Sequence, residues 1–377
     1  MITLNPQSLP SVTFACGPAQ ALKSVRESFL YQTRFERSHR AADLSYEGLY
    51  KEAEQNLRAL LNVPADYTVL FFPGGATSAM DAVLWSLTDD SVSGLDMGAF
   101  SHLWCEHLAA RLPQKIQKHF LKTFLPKPPK LTDSLVILTP NETSTGVQLP
   151  DDFLLNAWNN RGPNTLIAWD TTSCAGGRVL PNAYDVQLFG LQKCFAAGGG
   201  TCALILSPKA VARAKKISQK RTIPYFLDLT NALAFTPKHQ TLNTPATLTI
   251  WASNESAKFM LANGGLEKME QLCKLHADYL TAWAEKTDWV KPFIEDTKFR
   301  SFTSYTLEIT DPRILDKDIN DTLAATGIEN LKDGLKKYRT VKQNSLRVAC
   351  FPFVDLTGVS EYQKLTAALD EIVRQLR

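Results

Sequence analysis

The sequence predicts an α/β protein: a mainly parallel sheet in a large domain, with a smaller α+β C-terminal domain. Three observations carry this. Short apolar runs recur between residues 67 and 207, separated by helical or loop segments, and such alternation places helices on both faces of a mainly parallel sheet. The chain has 377 residues, more than one small domain needs. A long helical stretch over 266–287 then leads to a C-terminal part with strands and a closing helix of its own. The expected division is 14–262 for the large domain, and 263–377 together with 1–13 for the small one.

The elements follow in order. Residues 1–13 are polar and marked by prolines, and read as an arm or a piece of the small domain. Residues 42–62 carry a helical pattern (Leu49, Ala53, Leu57, Leu60, Leu61) that stops before Pro64. Residues 67–72 form a strand, broken by Pro73, Gly74 and Gly75, and a helix follows from about Ser78 to Leu87. A strand–glycine loop–helix unit presents free amides at a helix N-terminus, a natural cradle for phosphate. It is not a P-loop, because GxxxxGK[ST] is absent, and a bare Gly-Gly is more often a tight turn. A weak strand precedes Gly98, Ala99 and Phe100. The stretch from Lys122 to Lys130 is rich in Pro and Lys and reads as a solvated loop. Strands are expected at 134–138, 165–169, 186–191 and 202–207, then at 302–309 and 345–351, with a closing helix over 360–376.

Composition excludes several classes. Hydrophobic residues are 44% and charged residues 21%, ordinary for a globular protein with a large core. A net charge of +3 gives no argument for nucleic acid or membrane as a partner. No apolar run could span a bilayer, and the first residues lack a signal peptide's basic and apolar regions; the cysteine pattern is what leads us to expect a cytoplasmic enzyme. The seven cysteines are scattered and form no CxxC, which favours reduced thiols. The six histidines show no HExxH spacing, and no metal site is expected.

Lys193 is the most informative residue. It ends an apolar run and is followed by small residues and three glycines. A lysine fixed there is partly desolvated, which lowers its pKa and makes it a usable amine nucleophile. Asp170 ends another apolar run 23 positions earlier, about one strand–connection–strand unit. Ligands of open α/β sheets bind at the carboxyl ends of the strands, so the two side chains could face one ligand. Pyridoxal 5'-phosphate asks for this pair: a lysine for the Schiff base and a carboxylate for the pyridinium nitrogen.

Other candidates are weaker alone. Gln192 could donate to a phosphate, or be an ordinary exposed amide. Thr143, in the Asn141-Glu-Thr-Ser-Thr-Gly turn, could meet the cofactor ring; the bland alternative is a polar turn. Phe100 could stack on a flat ring, although aromatic residues are more often core. His39 and Arg40 lie in a charged stretch with Arg34 and Arg37, and clustered arginines are usually a solvated face. Arg339 is basic and near the C-terminus. Arg347 is harder to dismiss: an arginine inside an apolar strand normally needs an anionic partner, and an α-carboxylate would satisfy it.

These residues resemble those of the phosphoserine aminotransferases, class V members of the fold-type-I pyridoxal phosphate enzymes, in a form closer to the mycobacterial than to the enteric one. The matching segments run nearly the full length, in order: Cys16-Gly-Pro-Ala, Ser38-His-Arg, Gly74-Gly-Ala-Thr, Asn141-Glu-Thr-Ser-Thr-Gly-Val, Asp170-Thr-Thr-Ser-Cys-Ala-Gly-Gly, Gln192-Lys-Cys-Phe-Ala, Asn243-Thr-Pro-Ala-Thr, Asn263-Gly-Gly-Leu and Leu346-Arg-Val-Ala-Cys-Phe-Pro. The resemblance implies that Lys193 anchors the cofactor, Asp170 binds its ring nitrogen, Phe100 stacks on the ring and Thr143 contacts it. It implies that Ala76, Thr77 and Gln192 hold the cofactor phosphate together with Asn243 and Thr244 of the neighbouring subunit, in a homodimer with shared active sites. Arg347 would take the substrate α-carboxylate. His39, Arg40 and Arg339 would take the distal phosphate, or the side-chain carboxylate of glutamate. The implied reaction passes an amino group between L-glutamate and 3-phosphohydroxypyruvate, in serine biosynthesis. Two positions depart: many members have arginine where this chain has Thr77, and a His-Arg pair where it has Tyr338 and Arg339.

The competing readings are a related serine/alanine–glyoxylate-type aminotransferase, a cysteine desulfurase, and a nucleotide-binding or regulatory protein without chemistry. The basic set argues against the first. No cysteine is assignable to the second. A yellow protein would dispose of the third.

Overall fold

The structure, a computed structural model, describes residues 2, 4–28, 44–123, 127–326, 331 and 335–377. In chain order the strands are β1 (Thr68–Pro73), β2 (Ser91–Asp96), β3 (Gln117–Lys122), β4 (Leu135–Leu138), β5 (Asn141–Glu142), β6 (Val147–Gln148), β7 (Leu166–Asp170), β8 (Val186–Gly190), β9 (Thr201–Leu206), β10 (Val290–Pro292), β11 (Ser304–Ile309) and β12 (Ser345–Ala349). Seven of them form one sheet in the order β1-β9-β8-β7-β4-β2-β3. Neighbours from β3 through β8 run parallel, while β9 runs against both β8 and β1.

Burial on both faces explains the apolar runs. β4, β7, β8 and β9 are buried at every residue. Side chains alternate between faces with period two. Along β1, Val69 and Phe71 join the core under helices Leu44–Leu61 and Thr247–Ala262, whereas Leu70 and Phe72 join the core under Gly75–Leu87 and Pro208–Lys220.

Two strands gave little signal in the sequence. β3 is an exposed edge, Gln-Lys-His-Phe-Leu-Lys, whose charges discourage pairing with another chain. β2 is fully buried yet contains two serines and a glycine. A Cβ at Gly94 would lie 2.6 Å from Ile137 Cγ1 and 2.7 Å from the Ile137 carbonyl oxygen, so close packing on β4 requires the glycine.

A third core belongs to the C-terminal part. β10, β11 and β12 form an antiparallel sheet covered by helices Asp316–Ala325 and Ser360–Leu376. Leu9 and Phe14 of the N-terminal arm pack into it. Helix Gly265–Ala284 feeds two cores: Leu266, Met269 and Leu272 pack with the large sheet, and Ala277, Leu280 and Ala284 with the small one. All seven cysteines are free and buried. Among the described residues no helix is long and apolar enough to cross a membrane, and no cluster of potential metal ligands is found.

Candidate active site

The parallel order places two strand ends side by side. β7 ends at Asp170, which lies opposite Leu188 of β8. Three residues past the end of β8 stands Lys193. Both side chains line one cavity of about 360 Å³, together with Ala76, Thr77, Phe100, Thr143 and Gln192.

The glycine loop forms one wall. The sequence suggested a helix from about Ser78, but it begins at Gly75, with Gly74 as its N-cap. Gly74 (φ 82°) and Gly75 (φ 71°) are both left-handed, which lets the chain turn from β1 directly into the helix. A Cβ on Gly74 would also lie 2.6 Å from Ser78 Oγ. The amides of Ala76 and Thr77 therefore fall in the first helical turn, where N–H groups have no intrahelical acceptor and the dipole favours an anion.

Lys193 is buried, and its Nζ donates to Thr143 Oγ1 at 2.6 Å. Nζ lies 4.8 Å from the centre of the Phe100 ring. Burial pushes the lysine pKa below its usual value, against an opposing pull from Asp170. Asp170 is also buried, and burial pushes its carboxyl above the usual range. Its Oδ1 accepts from the Thr172 amide at 2.9 Å and the Thr172 hydroxyl at 2.5 Å. Thr172 thus fixes the carboxylate by one oxygen.

A stability consequence follows for the cofactor-free protein. Between its depressed native pKa and its unfolded value, Lys193 is neutral when folded and protonated when unfolded. The unfolded state then binds more protons, so stability rises with pH across that window. Below the window a buried ammonium is a standing penalty. Lys193→Met should therefore raise the melting temperature of cofactor-free protein at pH 7, and its advantage should shrink as pH rises toward 10. Thermal scans at both pH values check this; an advantage that grows with pH would contradict it.

The sequence reading missed Glu142. It is fully buried. Its Oε1 accepts from the Ser144 amide at 3.0 Å and hydroxyl at 2.8 Å, and its Oε2 accepts from the Ser101 amide and hydroxyl, both at 2.8 Å. No cation among the described residues pairs with it. One carboxylate thus joins the short helix bearing Phe100 (Ala99–His102) to the turn bearing Thr143. Ser101 is 41 positions away, so no local pattern announces the contact.

Arg347 lies on β12, opposite Thr306 of β11. Its guanidinium carbon is 3.9 Å from the centre of the Tyr338 ring. Its Nε and Nη1 are buried without a hydrogen-bond partner. Arg339 is exposed, and no carboxylate among the described residues pairs with it. Asn243 and Thr244 are not in this cavity. They line a neighbouring pocket of about 420 Å³ that shares Gly74 and Gly200 with it, and Asn243 Oδ1 is buried without a partner. His39 and Arg40 lie outside the described residues.

An α/β sheet with a buried lysine and aspartate at adjacent strand ends, beside a helix N-terminus, defines a class that the sequence comparisons identify. Residues 15–334 match the aminotransferase class-V family, and the chain belongs to it. Its fold is that of the fold-type-I aminotransferases. Over 369 residues it is 31% identical to the phosphoserine aminotransferase of Corynebacterium glutamicum, covering 96% of this chain and 94% of that one. A mycobacterial relative, from Mycobacterium leprae, is 34% identical over 374 residues, with coverage of 96% and 94%. Among solved structures, a phosphoserine aminotransferase from Cytophaga hutchinsonii superposes with a TM-score of 0.84 at 23% identity, covering 96% of this chain and 98% of that one. An alanine–glyoxylate aminotransferase from Nostoc sp. reaches 0.78 at 19% identity, with coverage of 99% and 98%. Fold alone therefore does not separate these two activities.

Proposed function

We propose that this chain is a pyridoxal phosphate-dependent aminotransferase that moves the amino group of L-glutamate to 3-phosphohydroxypyruvate, giving O-phospho-L-serine and 2-oxoglutarate. The observation that carries the reading is the cavity shared by Lys193, Asp170 and the helix N-terminus at Gly75. Its donor set suits the cofactor: a buried amine, a buried carboxylate with one oxygen fixed, an aromatic ring, and unpaired helix amides for a phosphate. When bound, pyridoxal phosphate supplies an aldehyde to the amine and a ring that accepts electrons from the substrate α-carbon.

Each residue then has a task. Lys193 would hold the cofactor, and its amine, when free, would carry a proton from the substrate α-carbon. Its depressed pKa leaves more of the amine free to do so. Asp170 keeps a proton on the ring nitrogen. Phe100 would support the ring and Thr143 would contact it. Ala76, Thr77 and Gln192 would hold its phosphate. Arg347 takes the α-carboxylate, and His39, Arg40 and Arg339 take the distal anion. Glutamate and 3-phosphohydroxypyruvate each carry a second anion; alanine and glyoxylate do not. That difference favours this reading over the alanine–glyoxylate one. A desulfurase reading has no support from the cysteines, since all seven are buried.

Asn243 and Thr244 belong to this scheme in a homodimer, where each protomer's pair would reach its partner's cofactor phosphate. The pocket that the pair lines shares Gly74 and Gly200 with the cavity, and this closeness supports the arrangement. Sedimentation of the loaded enzyme should give twice the chain mass; a fully active monomer would rule the arrangement out. Cytoplasmic localisation and the division at residue 263 are part of the same proposal.

Borohydride treatment of the loaded enzyme followed by peptide mapping tests the assignment of the anchor. The cofactor should be found on the peptide containing Lys193. Recovery on another lysine, or on none, would overturn it.

A further inference from the structure

We propose that Tyr338 is a positioning residue that holds the charged Arg347 guanidinium in place until a substrate carboxylate arrives. This rests on the reading of Arg347 as the α-carboxylate site. The first observation is that Arg347 has no anionic partner among the described residues, while its Nε and Nη1 are buried and unbonded. A half-buried guanidinium left in that state is costly. The second is that a ring face occupies the place of the missing anion, with Tyr338 centred 3.9 Å from the guanidinium carbon. A π face attracts a cation but accepts none of its in-plane hydrogen bonds. The guanidinium, which also meets the Cys16 thiol, is thus stabilised while Nε and Nη1 keep their N–H groups unbonded.

Two further contacts fix the ring. Tyr338 meets Phe100 edge to face, with centres 5.1 Å apart and planes at 79°. The segment carrying it is tied over β12, where the Arg347 amide donates to the Leu335 carbonyl at 3.2 Å and the Val341 amide donates to the Tyr338 carbonyl at 3.0 Å. Tyr338 also lines the cavity, and among the described residues nothing is hydrogen-bonded to its hydroxyl. The ring, not the hydroxyl, makes the contacts. Tyr338 therefore joins the proposed carboxylate site to the proposed ring platform at Phe100, across the boundary between the two sheets.

The test uses cofactor-loaded enzyme and maleate, a dicarboxylate with no amine to transfer, whose binding is followed by the change in cofactor absorbance. The variants are Tyr338→Phe, Tyr338→Leu, Arg347→Ala, and the double variant Tyr338→Leu with Arg347→Ala. Leucine keeps bulk and removes the π face, which guards against simple unfolding. Tyr338→Leu should weaken maleate roughly twofold to thirtyfold, the range of a cation–π contact. It should raise KM for glutamate by a similar factor and change kcat less. Tyr338→Phe should stay within about twofold of wild type, and Tyr338→Leu should add nothing further when Arg347 is already alanine. The proposal is overturned if Phe is as harmful as Leu, or if the two losses simply add. Unchanged maleate binding in Arg347→Ala would instead remove the carboxylate reading on which the proposal stands.

Discussion

Lys193→Ala is expected to lower kcat/KM for transamination by at least roughly 10²–10⁴-fold, the usual contribution of a positioned general acid–base group. The loss should exceed that range, because the same amine is also the covalent anchor. The expectation comes from position. Lys193 is buried 4.8 Å from the Phe100 ring centre, held by Thr143, and faces the cavity it shares with Asp170. The nearby backbone is shaped around it: Gly17 has φ 120°, and a Cβ there would lie 3.2 Å from Lys193 Cγ. Steady-state kinetics with glutamate decide the matter. A variant that keeps most of the wild-type turnover would remove Lys193 from the chemistry.

Arg347→Ala is expected to lower kcat/KM for every amino-acid substrate by about tenfold to a hundredfold. A charge-assisted contact to a buried anion is worth roughly 1.5–3 kcal/mol, which converts to that range. Arg40→Ala and Arg339→Ala should produce losses of similar size for phosphoserine and glutamate but small ones for alanine, whose side chain carries no anion. The contrast matters more than either value. Specificity constants for the three substrates across the three variants provide the check. Equal losses on all substrates for Arg40→Ala and Arg339→Ala would make those arginines structural.

Much of the fold was legible because burial on both faces writes itself as continuous apolar runs. β4, β7, β8 and β9 lie within a residue or so of where those runs fall, and the closing helix spans Ser360–Leu376. What escaped had a physical reason. β3 has no buried face to impose a pattern; β2, expected before Gly98, showed only as a weak strand because it gives up side-chain volume at Gly94 so that β4 can approach. The helix after β1 began three residues early because two left-handed glycines replaced a longer loop.

The site divides in the same way. Lys193 and Asp170 could be paired from sequence because each ends an apolar run and parallel strands align such ends. Glu142 could not, since its four close donors lie on two serines brought together by the fold. Arg347 was conspicuous as an arginine in an apolar strand, but its partner in the structure is the face of Tyr338 rather than an acid. Periodicity says which face a residue occupies and nothing about an aromatic ring arriving from a loop. Asn243 and Thr244 sit outside the cavity, and a single chain does not determine what meets them.

The central claim is that this aminotransferase takes amino acids with a second anion. A half-reaction panel tests it most directly: load the enzyme with pyridoxal phosphate, add one amino acid at a time, and follow the loss of the visible absorbance of the bound cofactor. Glutamate and O-phospho-L-serine should bleach it with the highest specificity constants, and alanine should lag by at least about tenfold, the loss expected when one charged contact is missing. Bleaching by alanine or serine as efficient as by phosphoserine would contradict the account.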